Sequence, residues 1–578
     1  MNPTADIQKI KRHYIPENFA LENWSGLEPF FTELKNRPIQ SKQELEHWLR
    51  DVSEIQAVIS EDACWRQIRM TCDTENTALE EAFTYFCLEI EPHIKPYADA
   101  LNRKLMDSPF VQELDASTYH TYLRSVKKDI ALYREENVNL LAELNVLAQQ
   151  YGTITGKMTV TVQGKEYTLQ QAARFLMQSD RSLREEVYHL VNQRRQQDAE
   201  ALDDLFDELL KKRHQVALQA GFANYRDYKF QELGRFDYSV ADCESFHEAI
   251  RAKIRPLVDR LYEHKKHVLG LDALKPYDID AEPAGQQPLS PFQHGEELLE
   301  KSIEVFSQLR PYFGDCLRTM KRKGHFDLES RKGKAPGGYN CPLAETGAPF
   351  IFMNAAGTAD DVVTMMHEGG HALHSFLSHD LELAAFKEYP MEMAELASMS
   401  MELFTMPLWT NFYPNPNDHR RAQLEELERA LSIFPWIATI DAFQHWLYTH
   451  PGHSRAERAQ AWTEIHTRFA PTSVSWLGLE DYRSILWQKQ LHLFEVPFYY
   501  IEYGIAQLGA LAMWKQFHVH PEATLDNYMR ALSLGGLKPL PELYKIAGIE
   551  FNFSPQRVEE LCDFVQAQIE GLLKDSLG

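Results

Sequence analysis

The run HEGGHALH, residues 367–374, sets two histidines four apart, so that on a helix His367 and His371 project from one face with Glu368 beside them. Two neutral imidazoles and one further oxygen ligand leave one corner of a tetrahedral divalent ion open to water, an arrangement for catalysis rather than for structure. The chemistry is metal-assisted hydrolysis, most often of a peptide bond. The ion lowers the pKa of its bound water toward about 7. Glu368 is placed to take the water's proton and hand it to the leaving amine. The bland alternative is a helix whose exposed face carries these three residues by chance.

The third ligand must come from elsewhere. A pattern HExxHxxGxxH would supply another histidine, but position 374 is His and position 377 is Leu. The acidic candidates downstream are Glu382, Glu388, Glu392, Glu395 and Glu402. Glu395 and Glu402 stand seven apart, hence on one helix face, and Ala394, Ala397 and Ser398 are small enough for that helix to approach the first. Glu395 is the expected ligand, and Glu402 the acceptor behind a ligand histidine's other N–H. His374, seven residues from His367, points partly away from the metal; a contact behind the ligands or plain packing is expected of it.

These residues need a buried helix to hold them. Thr358 and Asp361 form a capping-box start, and Val362, Val363, Met365, Met366, Leu373, Phe376 and Leu377 supply an apolar surface. Gly369 and Gly370 are poor helix formers, so either substrate or a neighbouring helix comes close there. The apolar run 348–355 reads as a strand beside this helix, either an edge strand that could pair with an extended peptide or, equally by its periodicity, a buried one. Phe352, Asn354 and Ala355 on it, with Gly337, Gly338 and Tyr339 in the preceding loop, are the candidate substrate-binding residues. Further on, a helix would put His492, Val496, Tyr499 and Tyr503 on one face with Tyr500 at its edge, giving donors for an oxyanion. An aromatic core stripe is the competing reading for part of that set.

With these motifs in place the sequence resembles the M3 family of zinc metallopeptidases, the thimet oligopeptidase and oligoendopeptidase F group. HEGGHALH fits that family's HExGHxxH, and ELASMSME (residues 395–402) fits its E-x-x-S-x-x-x-E. FDLESRKGKAPGGY (326–339), HLFEVPFYYIEYGIAQ (492–507) and, more weakly, RHQVALQAGFANYRDY (213–228) are similar to family segments, and the likeness is nearest to bacterial oligoendopeptidase F and Pz-peptidase-like members. The resemblance spans roughly residues 200–520; before that only helical character agrees. It implies one Zn2+ per chain on His367, His371 and Glu395, with Glu368 as base. It also implies a His and Tyr pair for the oxyanion: His492 with Tyr503 first, Tyr499 or Tyr500 second. The implied fold is two helical lobes enclosing a deep substrate channel, and the implied substrates are short unstructured peptides.

The rest of the chain is consistent with this. Its 578 residues exceed one typical core, and we divide them into an N-terminal helical region, 1–190, and a gluzincin-type catalytic region, 191–578. Amphipathic stretches at 41–60, 130–150 and 241–267 make the fold mainly α, with a small sheet by the HExxH helix and a hairpin over 158–169. A net charge of −24 argues against nucleic acid and anionic membranes. The N-terminus lacks an apolar leader, and seven scattered cysteines suit a reducing cytoplasm, with Cys341 a candidate free thiol near the cleft. No phosphate-binding loop is present. The expected activity is therefore a cytoplasmic zinc endopeptidase. An exopeptidase of the same family and an inactive peptide-binding protein are the rivals.

Overall fold

Apolar spacing over residues 41–60 becomes the helix Lys42–Cys72, capped by Ser41, whose hydroxyl accepts the Glu44 N–H. Leu45, Trp48, Leu49, Val52 and Ile55 on one side of it bury against Leu27, Phe31 and Leu34. This is the core of an N-terminal helical lobe. The 130–150 stretch is broken at residues 133–134 into two helices, the second being Glu135–Thr155. Residues 158–169 contain the expected hairpin: β1 (Thr159–Val162) and β2 (Lys165–Thr168) pair antiparallel. Gln163 and Gly164 both take positive φ at the turn, as a two-residue connection of this hand requires.

The computed structural model describes residues 5–574 and is mainly helical, with two small sheets. A second, larger core gathers the remaining helices. Leu383 and Phe386, from the connection between the helices Ala359–Ser378 and Met391–Thr405, plug into the N-terminal lobe's core instead. The two lobes thereby share a wall. Between them lies a cavity of about 800 Å³, lined by Arg12, Ser53 and Ala57 from one side and by His367, His371 and Glu395 from the other. Among the described residues no helix is long and apolar enough to cross a membrane.

The sheet at the cavity has β3 (Phe326–Glu329) parallel to β5 (Phe350–Ala355), and β4 (Tyr339–Cys341) antiparallel to β5. Its order is β3-β5-β4. Of the two readings of 348–355 the edge strand is corrected and the buried one holds: β5 is central, with its Phe350, Ile351, Phe352 and Met353 side chains buried. The edge strands are β3 and the short β4, and it is β4 whose Tyr339 and Asn340 line the cavity.

Candidate active site

The HExxH motif lies on the helix Ala359–Ser378, which starts with the Thr358–Asp361 capping box. The acidic helix Met391–Thr405 packs tightly across it. A Cβ added at Gly370 would come within 2.5 Å of the Ser398 Cα, and one at Gly369 within 2.4 Å of the Phe306 ring. Both glycines are thus explained by close packing. That closeness brings Glu395 Oε2 to 3.2 Å from His367 Nε2 and 3.5 Å from His371 Nε2, while the two Nε2 atoms are 3.2 Å apart.

Three ligand atoms on such a triangle match three corners of a tetrahedron around an ion roughly 2.0–2.2 Å from each. Hydrogen bonding behind them supports the same conclusion. With its Nδ1–H donating to Glu402 Oε1 at 2.6 Å, a neutral His367 ring would present its lone pair at Nε2 to an ion. Tyr499 donates its O–H to Glu395 Oε1, which leaves Oε2 for the centre of the triangle. The three atoms stay together only with positive charge among them, a proton on a ring or a bound cation. Burial alone would raise the Glu395 carboxyl, but the two imidazoles outweigh it and hold it well below the usual range. The other acidic candidates are engaged elsewhere or stand apart: Glu382 pairs with Arg50, Glu392 accepts from Tyr238, and Glu388 is not among the grouped donors.

Glu368 is buried on the cavity wall, with one carboxylate oxygen lacking any hydrogen-bond partner, and burial raises its carboxyl above the usual value. The loop expected to bind substrate lies against it. A Cβ at Gly338 would meet Glu368 Oε1 at 3.5 Å, and the Asn340 amide donates to the Glu368 carbonyl oxygen at 3.3 Å. Gly337 takes φ +97°, a conformation that favours glycine.

The C-terminal segment is not the continuous helix expected. The helix Leu491–Glu495 ends, and Tyr500–Phe517 begins after Phe498, which sits at φ +67°. A left-handed conformation at a bulky residue costs about 1–2 kcal/mol. It is held by Gln444, which accepts the Phe498 N–H, and by Arg235, which donates to the Phe498 carbonyl oxygen. The kink still brings His492, Tyr499 and Tyr503 to the metal cavity.

A relay sets the state of His492. The Trp436 indole N–H donates to Gln490 Oε1 at 2.9 Å, which orients the amide so that Gln490 Nε2–H donates to His492 Nδ1 at 2.7 Å. His492 therefore carries its proton on Nε2, 3.1 Å from the Tyr503 hydroxyl. Burial pushes the His492 imidazole down to about 4, so at neutral pH it is an uncharged donor. Burial, and next the Glu395 carboxylate, push the Tyr499 and Tyr503 phenols up, so both remain O–H donors.

Four expectations need correction. Tyr500 packs edge-on against His492 and is absent from the cavity lining, because the kink turns it inward. Of the two roles expected of His374, packing is the one found: it is fully buried, stacked on Tyr389 at 3.5 Å with neither ring nitrogen hydrogen-bonded. Phe352 is sealed beneath Tyr339, 4.7 Å away and parallel, and Ala355 is buried opposite Glu329; neither is available to substrate. Asn354 spends its amide on the carbonyls of Ala335 and Gly337, so it shapes the glycine loop. Tyr339 lines the cavity, but its hydroxyl is tied to Thr71 at 2.6 Å. Gln490, Trp436 and Asn340 were not singled out from the sequence; only their closeness to His492 and Gly338 could have marked Gln490 and Asn340.

This geometry can be set beside known proteins. The model for peptidase family M3 matches residues 174–561, and that of the M3 N-terminal domain matches residues 17–133. The chain belongs to peptidase family M3. It is a metallopeptidase by that membership. An oligoendopeptidase F homolog of Borreliella burgdorferi is 22% identical over 463 residues, covering 78% of this chain and 76% of the relative. Group B oligopeptidase PepB of Streptococcus agalactiae is 33% identical over 147 residues, which is 25% of this chain and 24% of that one. Among solved structures, Pz peptidase A with an inhibitor superposes at a TM-score of 0.92 with 27% identity, over 97% of this chain and 99% of that one. The expected helical lobes are thus present, in the fold of this family.

Proposed function

We propose that this M3 metallopeptidase is a zinc-dependent endopeptidase of short, unstructured oligopeptides in the cytoplasm, with Glu368 as general base. The observation that carries the reading is the triangle of His367 Nε2, His371 Nε2 and Glu395 Oε2 opening onto the interlobe cavity. Zinc held there would polarise the scissile carbonyl and supply a hydroxide-like nucleophile at neutral pH. Glu368, with a free oxygen, accepts the water's proton and returns it to the leaving amine. The tetrahedral intermediate's oxyanion is met by donors already in place, Tyr503 O–H and His492 Nε2–H. Tyr499 serves the ligand Glu395 rather than the oxyanion.

An extended substrate can add to the free edge of β4, facing Gly338 and Asn340. An interlobe cavity of about 800 Å³ suits an extended peptide segment better than a folded domain. Relatives named oligopeptidase and oligoendopeptidase support the same class.

The test is hydrolysis of an end-blocked, internally quenched peptide of about ten residues, which at about 3.3 Å per residue spans such a channel. It is run with and without a chelator, and the products are mapped by mass. Chelator-sensitive internal cleavage is the expected result. Cleavage only of peptides with a free terminus would replace the endopeptidase by an exopeptidase.

A further inference from the structure

Beside the metal cavity lies a second one of about 480 Å³, and the two share Gly338, Tyr339, His492 and Tyr503 in their linings. Two basic side chains reach into it: Arg195, from the helix Arg181–Gln197, and Lys489, just before the His492 helix. Neither forms an ion pair or a side-chain hydrogen bond among the described residues. Lys489 has only the face of Trp436, 4.6 Å away.

This is not for want of acids, since the chain has 84 of them against 60 basic residues. The same helix pairs its other arginines. Arg181 and Arg184 both bind Asp278, at 2.9 and 2.8 Å, and Arg194 binds Asp198. Arg195 and Lys489 are moreover close enough to repel: burial and then the Arg195 charge push the Lys489 ammonium down to about 8. Arg195 is half-buried and Lys489 open to solvent, and although the Asp280 charge acts on Lys489 no carboxylate pairs with either cation, so a bound anion would relieve their mutual repulsion. The one carboxyl in the lining, Glu495, has no partner and is pushed up to about 8 by burial, so at neutral pH it does not supply the missing charge.

Resting on the peptidase reading above, we propose that Arg195 and Lys489 form a subsite for a carboxylate of the bound peptide, either its C-terminus or an acidic side chain. The guanidinium offers a planar fork that matches a carboxylate, and Lys489 adds a point charge. The shared wall at Gly338, Tyr339, His492 and Tyr503 makes the subsite continuous with the place where the peptide is cut. It would therefore fix how far from a carboxylate the enzyme cleaves.

The experiment compares four versions of one quenched peptide, with a free acid or an amide at the C-terminus and with Glu or Gln at an internal position. Wild type, Arg195→Gln and Lys489→Gln are assayed, with Arg195→Lys as the conservative control. The proposal expects wild type to favour the carboxylate version about 10–100-fold in kcat/KM, as a charge-assisted hydrogen-bonded contact would give. Arg195→Gln should erase that preference while cleaving the uncharged peptide as well as wild type does. An amide-sensitive preference identifies the C-terminus, and a Gln-sensitive one the acidic side chain. A wild type indifferent to all four changes, or a preference that survives in Arg195→Gln, overturns the subsite.

To separate it from the peptidase reading, binding of the free-acid and amide peptides to Glu368→Gln protein is measured by calorimetry. Tighter binding of the acid form, lost on adding Arg195→Gln, supports the subsite even if no peptide is cleaved. Equal binding of the two forms overturns it.

Discussion

The molecule contains two clusters of histidine and acid built on helices at the same four-residue spacing, and they have opposite fates. One is His367, His371 and Glu395. The other joins Cys243 and His247 of the helix Val240–Ala249 to Asp441 and His445 of the helix Pro416–Thr449. In the first, and among Cys243, Asp441 and His445 of the second, potential ligand atoms lie within 4.8 Å of one another. In the second, His247 Nε2 lies 2.8 Å and His445 Nε2 3.2 Å from the same Asp441 oxygen. These imidazoles turn their hydrogen-bonding edge onto the carboxylate, and they hold the Asp441 carboxyl far below its usual range against the opposing effect of burial. In the first, the donor edge of His367 faces outward to Glu402, and the lone-pair edges converge beside the cavity. The same residue types make a sealed hydrogen-bonded core in one place and the proposed metal site in the other, and what separates them is the Glu402 carboxylate behind His367 and the opening onto the cavity.

The comparison can be broken from either side. Glu395→Ala should abolish hydrolysis and stoichiometric zinc in metal analysis while leaving the helical circular dichroism intact. Retention of one zinc per chain would mean that the metal lies elsewhere. Asp441→Ala should do the reverse: it leaves buried imidazoles without their carboxylate and costs about 3–5 kcal/mol in denaturant unfolding, yet the folded fraction keeps its zinc. Glu402→Gln, which weakens the acceptor behind His367, should lower zinc affinity about 10–100-fold in a competition titration.

The smallest effect is on pH dependence. His492 stays neutral in the folded state to about 4, whereas the unfolded imidazole takes a proton near 6.5, so the native state gains its full stability only above that range. Stability should fall as pH drops from about 6.5 through about 4. His492→Gln should flatten that part of a melting-temperature profile.

The candidate cluster was legible because HExxH and the seven-residue spacing of Glu395 and Glu402 are local properties of two helices, and helices keep such spacing whatever surrounds them. The tyrosines were only partly legible. Periodicity placed His492 to Tyr503 on one helix, whereas Gln444 and Arg235, distant in sequence, hold the Phe498 kink that separates Tyr499 and Tyr503 from Tyr500. The strand 350–355 was recognisable from its apolar run, but whether a strand is central or at an edge is set by its partners, β3 and β4, and not by its own residues. His374 illustrates the same limit: its motif position is shared with ligands, and its stacking on Tyr389 is tertiary.

The central claim is that the open cluster holds one catalytic metal and that Glu368 moves the proton. Zinc content and cleavage of the end-blocked peptide, measured together on wild type and Glu368→Gln, test it most directly. The account predicts one zinc per chain in both proteins and a loss of about 10²–10⁴-fold in kcat for the variant. Wild-type turnover in zinc-loaded Glu368→Gln would contradict it.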